Sequence, residues 1–464
     1  MNLEEETEVP VETRGSHERE YRTESEKVTH GVSNQSSYQD YLLSKAKNLI
    51  DQVVEQSNMI AAYERVCANK GAPGIDGRSV HDLADYVDRY WPQIRKALLD
   101  GTYRPSPVLR VEIPKPQGGL RPLGIPTVMD RLIQQAVHQV LSPIFEQEFS
   151  ESSYGFRPRR SAHQAVKMAQ SYQREGFRFV VDMDLKSFFD EVNHDILMGL
   201  LRRRITDKAL LKLIRTYLSA GIMIGGVCSS PEKGTPQGGP LSPLLSNIML
   251  NELDKELEKR GHKFCRYADD CNVYVRTKRS GERVFNSMVN FVENRLKLKV
   301  NFKKSAVDYP ARRKFLGFTF SYKGDIRIPK ESRKRFRLKV KELCRIGRGW
   351  NLEYFIKFKL NPFLKGWFNY YKLADQKKTF VREADKWLRH RLRRIVWIQW
   401  KKPWTRFKNL MKLGIGEERA ARSAFNKRSA WFNSGASHMN QALNLEYFNS
   451  RDLFSLLNRT LIEQ

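Results

Sequence analysis

Residues 264–275 read Phe-Cys-Arg-Tyr-Ala-Asp-Asp-Cys-Asn-Val-Tyr-Val, which sets Asp269 and Asp270 side by side within an apolar, β-prone run. Adjacent carboxylates repel, and each costs up to several kcal/mol to bury when dry and unpaired. The run therefore predicts a hairpin, with Ala268, Asp269 and Asp270 at or near its tip. A turn of this kind can hold two carboxylates around a divalent cation. An isolated Asp-Asp pair is ordinarily only an acidic surface turn, so the rest of the chain has to decide between the two.

The 464 residues carry a formal net charge of +30. A surplus of that size repels itself unless a polyanion meets it, and nucleic acid is the leading partner class, with an anionic membrane surface as the alternative. The uncharged run over residues 216–231 is too short and too rich in Gly and Ser to span a bilayer, and the N-terminus lacks a signal pattern. No membrane partner is expected. The five cysteines are widely spaced without a C-x-x-C pair, which fits a reducing cytoplasm and argues against a disulfide framework or a zinc site.

Residues 1–40 hold ten acidic and four basic side chains and read as a disordered acidic leader. Helical spacing follows from about 41 to 100, interrupted by a glycine-rich break at residues 71–77. Residues 106–126 predict a β-hairpin. Helices are predicted over 128–145, 162–172, 194–218, 244–259 and 283–296, and strands over 177–185, near 300–307 and near 314–320. This interleaving predicts an α+β fold rather than a doubly wound sheet. Residues 331–410 hold 24 Lys and Arg against six Asp and Glu, with six tryptophans. They predict a helical module whose tryptophans are largely core and whose surplus charge turns at least one face toward phosphates.

A second acidic segment, Val180 to Asp190, contains Asp182, Asp184 and Asp190. The apolar residues before Asp184 predict a buried strand ending there, so that its carboxylate emerges at a sheet edge. With Asp269 and Asp270 it could supply oxygen ligands for two Mg²⁺ ions, the donor type that this hard cation takes.

These segments together resemble the reverse transcriptases encoded by bacterial group II introns. The resemblance rests on Tyr267-Ala268-Asp269-Asp270, Val181 to Asp190, Gly71 to Gly77, residues 113–116, 121–126, 154–158 and 235–243, Val300-Asn301 with Lys304-Ser305, and Phe315 to Phe318, running in order over roughly residues 45–440. It implies a right-hand polymerase, with fingers and palm over 41–330, an α-helical thumb and maturase domain over 331–420, and a basic extension over 421–464. It aligns Asp184, rather than Asp182 or Asp190, with Asp269 and Asp270 as ligands of two Mg²⁺ ions, for which Mn²⁺ could substitute. Lys115 and Arg121 on the fingers hairpin would grip the incoming triphosphate. Phe189 would lie beneath the sugar and select deoxynucleotides, although either Phe188 or Phe189 could be core. Gln237 would line the nucleotide pocket. Lys304, with Lys303 adjacent, would protonate the leaving pyrophosphate.

The implied activity is RNA-directed DNA synthesis. The implied partners are deoxynucleoside triphosphates, an RNA template with a DNA primer, and an intron RNA whose splicing and retrohoming the protein assists in a bacterial cytoplasm, as a monomer or homodimer. Gly366 to Tyr371 is the most recognisable piece of the maturase part. Without a Cys/His-rich cluster before Gln464, the chain resembles the compact class that lacks an endonuclease domain. Alternatives are a domesticated relative in defence or repair and a non-catalytic RNA-binding maturase.

Overall fold

Both sheets that matter to the site are built from strands whose side chains alternate between two faces. The structure is a computed structural model that describes residues 49–114, 119–224, 227–229, 233–235, 238–375 and 377–462. The acidic leader expected over residues 1–40 lies outside them.

Helices α1 (Leu49–Val53), α2 (Gln56–Ala68) and α3 (Leu83–Leu99) lead into the hairpin β1 (Val108–Pro114) and β2 (Leu120–Ile125). The hairpin is in register from Leu109 opposite Ile125 to Pro114 opposite Leu120, as residues 106–126 predicted. Next comes α4 (Val128–Glu146), capped by Thr127, whose side chain accepts from the Asp130 amide. Its Leu132, Ile133, Ala136, Val137 and Leu141 recur at helical spacing and are buried.

The chain continues through α5 (Ala162–Arg174), β3 (Phe179–Met183), α6 (Phe188–Glu191), α7 (His194–Arg202), α8 (Lys208–Leu218), β4 (Ile222–Ile224) and β5 (Val227–Ser229). After these come α9 (Ser242–Lys259), β6 (Lys263–Tyr267), β7 (Asp270–Val275), α10 (Lys278–Asn294) and β8 (Ala306–Asp308). The first four-stranded sheet has the order β2-β1-β4-β5 and the second β6-β7-β3-β8. All pairings in the second sheet are antiparallel.

Period-two alternation puts this second sheet between two cores. Val181, Met183, Phe264, Cys271, Val273 and Val275 pack with the helices of the first 300 residues. Val180, Cys265 and Tyr274 point the other way, into a core shared with Phe318, Phe336, Leu388 and Trp397. The mixture of helices with antiparallel strands is the α+β class that the sequence predicts.

Three predicted elements differ, one of them the strand expected near 314–320, of which only Thr319–Phe320 is formed. The helix expected over 194–218 is broken between α7 and α8, because the Asp207 side chain accepts from the Leu210 amide and from the Ile50 amide. A capping carboxylate starts a new helix and pins it to α1 in one move. The strand expected over 300–307 is reduced to β8. Residues 301–305 instead form a turn in which the Lys304 and Ser305 amides donate to the Asn301 carbonyl.

Past residue 330 the chain is helical, with α11 (Lys330–Ile346), α12 (Leu352–Phe355), α13 (Asn361–Tyr371), α14 (Lys378–Gln399), α15 (Pro403–Lys412) and α16 (Glu417–Ala424), followed by short helices to Ile462. Trp397 is buried, whereas Trp404 is 58% exposed and stacks on Phe407 at 5.1 Å. Among the described residues no helix is long and apolar enough to cross a membrane. Cys67, Cys265, Cys271 and Cys344 are all free thiols.

Candidate active site

The paired aspartates lie where the apolar flanks predict. Strands β6 and β7 pair from Lys263 opposite Tyr274 to Tyr267 opposite Asp270, so Ala268 and Asp269 form a two-residue turn and Asp270 begins the return strand. Neighbouring β3 pairs with β7 as far as Met183 opposite Cys271. Carried one residue further, this register sets Asp184 opposite Asp270. Asp182, Asp184 and Asp270 then share the sheet face that carries Val180 and Tyr274 deeper in, because alternate residues share a face.

Asp184 is held from behind. Its carboxylate Oδ2 accepts from Asn301 Nδ2 at 2.8 Å, its amide donates to Ser305 Oγ at 2.9 Å, and its carbonyl accepts from the Asn301 amide at 2.8 Å. The Lys304 Nζ lies 3.6 Å from the same Oδ2. Lys304, not Lys303, is thus the lysine of this turn that pairs with Asp184. Asp182, two residues earlier, is engaged by Arg313, whose Nε and Nη2 both reach its Oδ2, at 2.7 and 2.6 Å. Arg313 also donates to the Lys304 carbonyl, so one guanidinium ties the turn at 301–305 to β3.

The field at this edge is strongly negative. Burial pushes the Asp270 carboxyl up to about 8, and the charges of Asp182, Asp269 and Asp184 add to the effect while Arg313 opposes it. Among the described residues, no three acidic, histidine or cysteine side chains stand close enough together to hold a metal ion as placed. The donor chemistry still fits a hard divalent cation. The converging groups are carboxylate oxygens, and their mutual repulsion is the kind that such an ion relieves.

Phe188 is buried at 2% exposure and Phe189 is half-buried. The two rings meet edge-on at 5.2 Å because both sit on the short helix α6 rather than on a strand. Phe189 lines a cleft with Arg110, Leu123, Gly124, Lys233 and Thr235. The loop entering that cleft is clamped to α6, since the Thr235 amide donates to the Phe189 carbonyl at 2.6 Å and the Gly234 amide to the Val192 carbonyl at 2.8 Å. Lys115 and Gln237 lie outside the described residues. Arg121 is opposite Ile113 in the hairpin, and its side chain also lies outside what is described.

Sequence reasoning quoted Asn301 without a role and missed Arg313, Arg110 and Lys233. Asn301 and Arg313 reach the β3 aspartates from more than 100 residues away, and no local pattern signals that. Arg110 was legible only as a basic residue in a predicted hairpin, and Lys233 only as a basic residue ahead of the segment 235–243.

Residues 113–320 match the family model described as reverse transcriptase (RNA-dependent DNA polymerase), and residues 333–414 match the group II intron maturase-specific domain. Protein YkfC of Escherichia coli K12 is 35% identical over 300 residues, which cover 56% of this chain and 78% of that protein. The group II intron-encoded protein LtrA of Lactococcus lactis is 43% identical over 211 residues, covering 44% of this chain and 34% of LtrA. A putative COX1/OXI3 intron 1 protein of Saccharomyces cerevisiae is 32% identical over 51% of this chain and 27% of its own length. The aligned part thus spans only about a third of LtrA and less of the yeast protein. The domain pair and the extent of the match to YkfC establish that the chain belongs to the group II intron-encoded reverse transcriptase and maturase family, whose enzymatic class is RNA-directed DNA polymerase.

Proposed function

We propose that this chain extends a DNA primer on an RNA template, using Asp184, Asp269 and Asp270 as the carboxylates of the reaction centre, and that its helical C-terminal part binds intron RNA to assist splicing and retrohoming in a bacterial cytoplasm. The observation that carries the first half is the crowding of carboxylates at the ends of β3 and β7, where burial first, and the neighbouring carboxylates second, raise the Asp270 carboxyl to about 8. The second half is supported by the basic face of α11, where Lys330, Arg333, Lys334, Arg337 and Lys341 line one groove.

In this reading Asp184, Asp269 and Asp270 would hold Mg²⁺, or Mn²⁺ in its place, and the bound ions would supply Lewis-acid activation of the primer hydroxyl and charge neutralisation on the phosphates. Asn301 and Ser305 hold Asp184 in one orientation, so that little reorganisation is left for the reaction. Arg313 keeps Asp182 engaged and out of the donor set. Lys304 Nζ, beside Asp184, is the proton donor for the leaving pyrophosphate oxygen. Lys115 and Arg121 close over the triphosphate as charge-assisted donors, Gln237 lines the nucleotide pocket, and the Phe189 ring occupies the space that a ribose 2′-hydroxyl needs. Residues 41–330 are the fingers and palm, 331–420 the thumb and maturase part, and 421–464 a basic extension.

Primer extension with Mg²⁺ on RNA and DNA templates, wild type beside Asp269→Asn, tests the reading. The expected result is cDNA synthesis by the wild type, and loss of synthesis in the variant with RNA binding retained. Equal loss of synthesis and binding, or a wild-type rate in the variant, overturns it.

A further inference from the structure

Arg266 precedes Tyr267 on β6, and its side chain is fully enclosed, as is that of Asp254 on α9. A buried guanidinium is tolerable only when its donors are met, and here all five are. The Nε donates to Asp254 Oδ1 at 2.7 Å, and Nη2 donates to Asp254 Oδ2 at 2.6 Å and to Ser153 Oγ at 2.8 Å. The Nη1 donates to Asn247 Oδ1 at 3.0 Å and to the carbonyl oxygen of Ala268 at 2.9 Å. Four of these bonds anchor the guanidinium to α9 and the Ser153 loop. The fifth reaches the turn that carries Asp269.

That turn is strained. Ala268 sits at φ +57°, in the left-handed region that a residue with a side chain enters at a cost and leaves unless its surroundings over-determine it. The far side is closed by Gly155, whose carbonyl accepts from Asn247 Nδ2 at 2.8 Å. A Cβ at Gly155 would collide with the Ala268 amide nitrogen and press on Tyr267. Asn247 therefore links Arg266 in front of the turn to Gly155 behind it. The bond to the Ala268 carbonyl thus meets the last buried donor and at the same time grips the backbone of the turn.

We propose that Arg266 is a positioning residue for nucleotidyl transfer, which together with Gly155 locks the left-handed Ala268 turn and so fixes the directions of the Asp269 and Asp270 carboxylates. The inference rests on the active-site reading above.

The full chain is tested as wild type, Gly155→Ala, Arg266→Lys and Asp269→Asn. Gly155→Ala leaves the buried ion pair intact and pushes on the turn. Arg266→Lys keeps a charge against Asp254 and gives up the fork that reaches Ala268. Four readouts are taken: kcat and KM for deoxynucleotide, RNA affinity, thermal melting, and Mn²⁺ binding by electron paramagnetic resonance. The last uses a complex whose primer ends in a dideoxynucleotide, so that no turnover occurs. In Gly155→Ala we expect kcat to fall about 100-fold and Mn²⁺ binding to weaken about tenfold, with KM, RNA affinity and melting close to wild type. Arg266→Lys should follow the same pattern where it folds, and Gly155→Ala decides where it does not. Wild-type kcat and Mn²⁺ binding in Gly155→Ala, alongside an inactive Asp269→Asn, overturn the positioning role alone. Losses that track melting, with Mn²⁺ binding unchanged, also overturn it. A fully active Asp269→Asn removes the active-site reading and this inference with it.

Discussion

Asn301 Nδ2 donates a 2.8 Å hydrogen bond to Oδ2 of Asp184 across 117 residues of sequence. The same asparagine donates its amide to the Asp184 carbonyl, so one residue fixes both the backbone and the side chain of the aspartate. Asn301→Ala frees the carboxylate to rotate. Single-turnover primer extension should slow about tenfold, as when an outer partner of a metal ligand is removed, while the melting midpoint reports a loss of only about 1 kcal/mol.

Phe189 faces the cleft between the first sheet and the loop at 233–235, while Phe188 fills the core. Phe189→Ala should raise ribonucleotide incorporation relative to deoxynucleotide, read as the ratio of kcat/KM values. Phe188→Ala should leave that ratio unchanged and cost about 3–5 kcal/mol of stability through the cavity it opens.

His194 is buried and its Nε2 donates to the Gly234 carbonyl at 2.6 Å. Burial lowers its pKa below the usual 6.5, with the Gly234 bond opposing the shift. The unfolded chain therefore takes up a proton on this ring at higher pH than the folded chain does. The stability involved is complete above about pH 6.5 and is lost as the pH falls from there through the folded value. His194→Gln should make the decline of melting temperature between pH 6.5 and 5 shallower than in the wild type. An unchanged slope would show that this ring does not carry the effect.

Trp404 is exposed, stacks on Phe407, and lies among Lys401, Lys402 and Lys408 on or beside α15. A stacked base is worth about 1–3 kcal/mol. Trp404→Ala should thus weaken RNA binding about tenfold without altering its salt dependence. Lys334→Ala on α11 should instead lower the slope of log affinity against log salt by about 1. Filter binding across a salt series separates the two.

Much of this site was readable before any fold was known, and the reason is local. The hairpin at Asp269 and Asp270 follows from carboxylates set between β-prone apolar flanks, and β3 from the apolar run ahead of Asp184. The hairpin within residues 106–126 follows from alternation on both sides of a glycine-rich turn. Each rests on neighbours within a few residues, which is the range over which propensity and period act.

Tertiary structure decided the rest. Asp182 and Asp184 are the same residue type two positions apart and share a face, and in the structure the arrival of Arg313 at one and Asn301 at the other tells them apart. Phe188 and Phe189 were divided between core and cleft by the helical turn of α6, a choice that the sequence left open. The turn at 301–305 replaced a predicted strand because its bonds to Asp184 close a contact that is distant in sequence. Arg266 looked like one basic residue in an apolar strand until Asp254, Asn247, Ser153 and Ala268 closed around it. Composition and spacing specify which groups a segment presents, and the partners that each group meets are set by packing between segments far apart in the chain.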